Sequence, residues 1–159
     1  LLGTAETIPS LAEALELIDG RVAVLVEIKN RGEIGPLEDA VAEELSRYSG
    51  DVAVMSFNPY SLGRMGLAAP NVTRGQLSGT FEDEDLPGYQ MFALRQLMMN
   101  WKSRPHFIAY EFEALPSFAT SLQRMSGRPL LAWTLNDPDS AEFASALADN
   151  LICDPGALP

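Results

Sequence analysis

Arg21-Val-Ala-Val-Leu-Val-Glu-Ile-Lys29 is a short apolar run with three valines and an isoleucine, set off by Gly20 on one side and by Asn30, Arg31 and Gly32 on the other. A run of this length between turn formers predicts a strand buried on both faces, as in a parallel sheet. Its end is polar. Glu27 and Lys29 stand two residues apart, so on a strand both side chains leave by the face shared with Ala23 and Leu25, while Val22, Val24, Val26 and Ile28 line the other. A carboxylate and an ammonium are costly to bury without partners. Two explanations stand: a mutual ion pair at a strand end, or a site at the carboxyl edge of an α/β sheet, where such folds hold their ligands.

Helix and strand patterns alternate on both sides of this run. Ser10-Leu-Ala-Glu13 is a capping box that opens a helix with Leu11, Ala14, Leu15 and Ile18 at helical spacing and Gly20 at its end. Downstream, 36–48 is an amphipathic helix with Leu37, Ala40, Val41 and Leu45 on one face. Asp51-Val-Ala-Val-Met-Ser-Phe57 is a strand, and Asn58-Pro59 supplies a cap and a first-turn proline for a helix to Ala68. Residues 71–77 form a further strand, followed by the one long loop, which carries Glu82-Asp-Glu-Asp85. Met91, Leu94, Met98 and Trp101 recur at helical spacing and predict a single helix over 88–102 with a core stripe. Strands over 105–112, 128–135 and 151–154 alternate with helices over 116–125 and 138–149. Six strands joined by helical crossovers imply a mainly parallel sheet, either doubly wound and open or part of a (β/α)8 barrel. A complete barrel usually takes about 250 residues, so this chain is short for one.

The 159 residues suit one domain, and a hydrophobic content of 47% is enough for a core. No apolar run reaches the roughly eighteen residues of a membrane span, and the first residues lack the pattern of a signal peptide; a cytoplasmic location is expected. Cys153 is the single cysteine, so no internal disulfide forms. The formal charge of −11 argues against a nucleic-acid or anionic-membrane surface. An anionic small substrate would need a local positive centre.

Thr7-Ile-Pro-Ser-Leu-Ala-Glu-Ala-Leu15, Val26-Glu-Ile-Lys29, Ser56-Phe57, Ala132-Trp-Thr-Leu-Asn136 and Leu151-Ile-Cys-Asp-Pro155 follow one another in the order and spacing of the second part of the glycerophosphodiester phosphodiesterase family, which the chain resembles over essentially its whole length. The resemblance implies a TIM barrel and a metal-dependent hydrolysis of glycerophosphodiesters to glycerol 3-phosphate and an alcohol. The six strands would then be strands 3–8 of the barrel, with strands 1 and 2 missing. Glu27 is similar to the family's metal-binding glutamate, Lys29 to its phosphate-contacting lysine, and Trp133 to an aromatic position lining the substrate cleft. A carboxylate-held Mg2+ or Ca2+ and a nearby lysine would both offset charge on the phosphate oxygens.

The chain also departs from that pattern. The family's His-Arg-Gly strand, Glu-x-Asp metal pair and His-Asp segment would precede Thr7, and the sole histidine, His106, starts its strand at the end opposite the expected active face. No catalytic histidine is expected here, and the chain alone is expected to be inactive. Missing strands would leave two open sheet edges, at 22–28 and 151–154, predicting self-association or a complementing N-terminal segment. Among other residues, the carboxylates 82–85 suit a solvated loop better than a metal site, and Arg74 and Gln76 share a face that could meet a ligand or neutralise Glu27. Glu111, at a strand's carboxyl end, is a candidate polar contributor, and Cys153 a small core residue. Competing readings are a Schiff-base lyase using Lys29 and a non-catalytic binding or assembly module derived from a barrel.

Overall fold

The computed structural model describes residues 7–82 and 85–157. Ser10 accepts from the Glu13 N–H while the Glu13 carboxylate accepts from the Ser10 N–H, and this capping box starts α1 (Leu11–Ile18). There follow β1 (Val24–Glu27), α2 (Pro36–Arg47), β2 (Val52–Ser56), α3 (Pro59–Ala68) and β3 (Thr73–Ser78). Asn58 caps α3 through the Tyr60 N–H, with Pro59 in the first turn, as the sequence predicts. The second half comprises α4 (Gly88–Arg95), α5 (Asn100–Ser103), β4 (Phe107–Glu111), α6 (Phe118–Met125), β5 (Leu130–Leu135), α7 (Pro138–Ser145) and β6 (Asn150–Cys153).

All six strands are parallel and lie in the order β1-β2-β3-β4-β5-β6. A doubly wound sheet reverses its strand order at a switch point, so this sequential order excludes that alternative and selects the barrel-type winding. The helices cover one face. Residues of α1, α2 and α3 meet Ile28 and Val54 in one core cluster, and residues of α6 and α7 meet Ile108, Leu130 and Ala132 in another. On the opposite face Met55, Leu77, Phe107 and Ala109 form a third cluster whose partly buried neighbours also come from strands or the residue just after one. Strand side chains alone fill that face, as inside a barrel. At its centre the Phe107 ring lies over Gly75, where a Cβ would collide with ring carbons. The sheet curls enough for Glu27 of β1 and Ile152 of β6 to line one cleft. The fold is thus an α/β partial TIM barrel in which β1 and β6 each have a single strand neighbour among the described residues.

Two expected faces are corrected. The predicted helix over 88–102 is two helices: Ser78 and Tyr110 hydroxyls donate to the Leu94 and Arg95 carbonyls, the helix stops, and Leu97 turns left-handed at φ 55°. That turn resets the helical phase, so Leu97 is buried while Met98 and Trp101 of the expected core stripe are exposed. In α2 the buried face is Glu38, Val41, Ala42 and Leu45, with Leu37 and Ala40 of the expected face exposed, because Glu38 finds buried hydrogen-bond donors.

Candidate functional site

Glu27 is the last residue of β1, and Lys29 lies two residues beyond it in the loop. Their charged groups are 3.5 Å apart, with the Lys29 side chain 77% exposed and that of Glu27 25%. An ion pair this open adds little stability, so the ammonium can leave Glu27 for an arriving anion at small cost. Both side chains line a cleft of about 240 Å³ at the carboxyl edge of the sheet, together with Phe57, Leu77, Trp133 and Ile152. The sequence-predicted trio of Glu27, Lys29 and Trp133 therefore meets in one place.

Opposite in character to the charged pair is a row of rings. Trp133 packs edge-on against Phe57 at 5.5 Å and 88°, and Phe57 packs edge-on against Phe81 at 5.6 Å and 74°. A cleft with an ammonium and a carboxylate on one side and aromatic edges on the other suits an anion that carries a carbon-bearing group. The place of Phe57 in the cleft was not legible, because its ring meets Trp133 of the non-neighbouring β5 only when the sheet curls; Phe81 backs Phe57 from the loop after the adjacent β3.

The ends of β1, β2 and β3 are each held by a polar side chain of the next strand. Ser56 of β2 donates to the Ile28 carbonyl at 2.7 Å, just before Lys29. Gln76 of β3 donates to the carbonyls of Ser56 and Phe57 at 3.1 and 3.2 Å. Glu111 of β4 accepts from both the N–H and the hydroxyl of Thr80, at 2.5 and 2.7 Å. Beyond β1, Glu38 accepts from the Asn30 side-chain amide, the Gly35 N–H and the Ser61 hydroxyl at 2.8, 2.8 and 2.6 Å. Burial pushes the Glu38 carboxyl up, but the donors from Ser61, Asn30 and Gly35 outweigh it and hold the group below its ordinary range.

Several candidates fall elsewhere. Arg74 and Gln76 do share a face, but it is the helix-covered one. Arg74 donates to the Pro70 and Val72 carbonyls, so it does not neutralise Glu27. His106 sits at the amino end of the sheet, where its Nδ1 accepts from the Arg74 N–H at 2.9 Å; desolvation and then the Arg74 charge lower its pKa. Glu111 lies at the carboxyl edge as a clamp on Thr80. Glu82 and Asp85 are exposed, and Asp83 and Glu84 lie outside the described residues. Cys153 is half-buried against the helix-side core, less enclosed than expected. Among the described residues no group of three or more His, Cys, Asp or Glu side chains is placed to hold a metal ion. Glu27 alone does not make a metal site.

Fold and cleft together define a partial (β/α)8 barrel with a charged and aromatic cleft at the carboxyl edge of its strands. No sequence-family model and no curated protein matches the chain. Its structural neighbours are glycerophosphodiester phosphodiesterases. A protein from Silicibacter pomeroyi assigned as a glycerophosphoryl diester phosphodiesterase superposes with a TM-score of 0.75 at 22% identity, over 94% of this chain and 54% of that one. The glycerophosphodiester phosphodiesterase of Thermotoga maritima gives 0.68 at 23% identity, over 94% and 61%. An Oleispira antarctica phosphodiesterase in complex with the product sn-glycerol-3-phosphate gives 0.67 at 19%, over 91% and 57%. This chain therefore spans little more than half the length of these neighbours, and at such identities the likeness establishes the shared fold. No helix among the described residues is long and apolar enough to cross a membrane.

Proposed function

We propose that this chain provides the Glu27–Lys29 wall of a glycerophosphodiester phosphodiesterase site, in a protein that hydrolyses glycerophosphodiesters to glycerol 3-phosphate and an alcohol. The observation that carries this reading is the convergence of Glu27, Lys29 and Trp133 on one cleft at the carboxyl edge of the barrel strands. Lys29 would place its ammonium on a phosphate oxygen, and Trp133 with Phe57 would face the esterified carbon groups. A divalent ion, Mg2+ or Ca2+, would need Glu27 plus ligands that the described residues of this chain do not bring together. The edges of β1 and β6, each without a second strand neighbour among the described residues, suit a complementing segment or a second copy supplying strand pairing.

The test is binding of glycerol 3-phosphate to the chain, followed by its phosphorus resonance and compared with K29A. We expect K29A to weaken binding about tenfold or more, as loss of a charge-assisted contact of 1.5–3 kcal/mol implies. Equal binding by both forms refutes the assignment. Metal-dependent turnover of glycerophosphodiesters by the product of the whole reading frame separates an enzyme from a binding module. A Schiff-base lyase is disfavoured by the solvent-open Lys29 amine, since such lysines are activated by desolvation or a cationic neighbour.

A further inference from the structure

Phe81 is a bulky residue in the left-handed backbone region, at φ 56°, in the loop after β3. An aromatic residue takes up that conformation only where its surroundings impose it, and such positions cluster at functional sites. Its surroundings are specific. The preceding residue, Thr80, is held at two points by the Glu111 carboxylate. Gly79 before it leaves room for that carboxylate, because a Cβ there would lie 2.5 Å from the Glu111 Oε2. So fixed, the Phe81 ring backs Phe57, and Phe57 in turn lines the cleft edge-on to Trp133. Phe57 and Trp133 stand together in the lining of that cleft, so a shift of the Phe57 ring changes the room beside Trp133.

We infer that Phe81, positioned by Glu111 through Thr80, is a specificity-determining residue: it holds Phe57 inward and limits the size of the carbon group accepted beside the phosphate. Without the Phe81 ring, Phe57 is free to swing away from the cleft and a bulkier ester fits. The size selection rests on the phosphodiester reading of the cleft; the mechanical relay from Glu111 to Trp133 does not.

Two measurements on the 159-residue chain separate these. The first needs no ligand. The Trp133 indole N–H resonance, assigned against W101F, should shift in F81A and move in the same direction in E111L and T80V, while T80S, which keeps the hydroxyl, retains the parent position. A Trp133 resonance unmoved in E111L and T80V, with F81A displaced, overturns the positioning role of Glu111. The second is titration with the methyl and cyclohexyl esters of glycerol 3-phosphate, which differ in apolar bulk alone. F81A should raise the cyclohexyl-to-methyl affinity ratio about tenfold or more, the order of discrimination that methylene-sized contacts give. Should F81A fold poorly, F81L gives the same comparison with a smaller gain. An unchanged ratio overturns the selection by Phe81. Failure of both esters to bind any variant overturns the phosphodiester reading and the size selection with it, leaving the relay judged by the ligand-free resonance.

Discussion

The Asn30 side-chain amide donates at 2.8 Å to the carboxylate of Glu38, a fully buried residue of α2, one position past Lys29. The same carboxylate accepts from the Gly35 N–H and the Ser61 hydroxyl, so a single acceptor ties the loop after β1 to the start of α3. Glu38→Ala deprives these donors of their acceptor within the protein, at about 1–3 kcal/mol for a buried unsatisfied group. We expect a total loss of roughly 2–5 kcal/mol by urea unfolding, since Ser61 is itself fully buried. A loss below about 1 kcal/mol would show that the loop is held by other means.

The same node sets an acid limit. Glu38 titrates below its ordinary value of 4.5 in the folded protein. A carboxyl with a depressed folded pKa stabilises fully above its unfolded value, and that contribution disappears as pH falls through the folded value. The stability difference between the parent and Glu38→Gln should therefore be constant above about pH 5 and narrow below about pH 4.5. Exposed carboxylates such as Glu13, Asp39 and Asp137, also lowered by their hydrogen bonds, are common to both proteins and cancel in the difference. A difference independent of pH down to acid unfolding would contradict the assignment.

Much of this is legible in the sequence because strands and helices impose periods. Spacing by two puts Glu27 and Lys29 on one side of the chain, and both line the cleft. The same rule pairs Arg74 with Gln76 correctly but gives no sign of which face is inside. That is decided by Leu77 and Phe107 filling the barrel side. Glu38 escapes the pattern for a different reason: its burial depends on Asn30 and Ser61, eight and twenty-three residues away. Phe57, Phe81 and Trp133 are likewise distant in sequence: the pairing of β2 with β3 brings Phe81 to Phe57, and the curl of the sheet brings Trp133 of β5 to the same ring.

Phase within 88–103 gives a third test. The expected stripe made Met98 and Trp101 core residues, whereas the left-handed Leu97 is 4% exposed and the other two are 58% and 69% exposed. Leu97→Ala should cost about 2–5 kcal/mol, the usual range for emptying a buried leucine site. Trp101→Gln should stay within about 0.5 kcal/mol, as surface substitutions do. The reverse ranking in thermal or urea unfolding would restore the continuous helix.

Gly75 faces the barrel interior with the Phe107 ring of the next strand across it, in register Gly75 to Phe107. An added methyl would meet the ring carbons, and Phe107 is 8% exposed, enclosed on the inner face with Leu77 and Ala109. Gly75→Ala should thus destabilise by about 1–3 kcal/mol, the usual cost of overpacking a core. Phe107→Leu alone should also destabilise, through lost volume. Combined, the two changes should partly cancel, because the smaller side chain vacates the space that the methyl needs. The coupling in such a double-mutant cycle is expected at about 0.5–3 kcal/mol in the favourable direction. Strictly additive losses would mean that Phe107 does not lie over Gly75, and that the inner face of the barrel is filled in some other way.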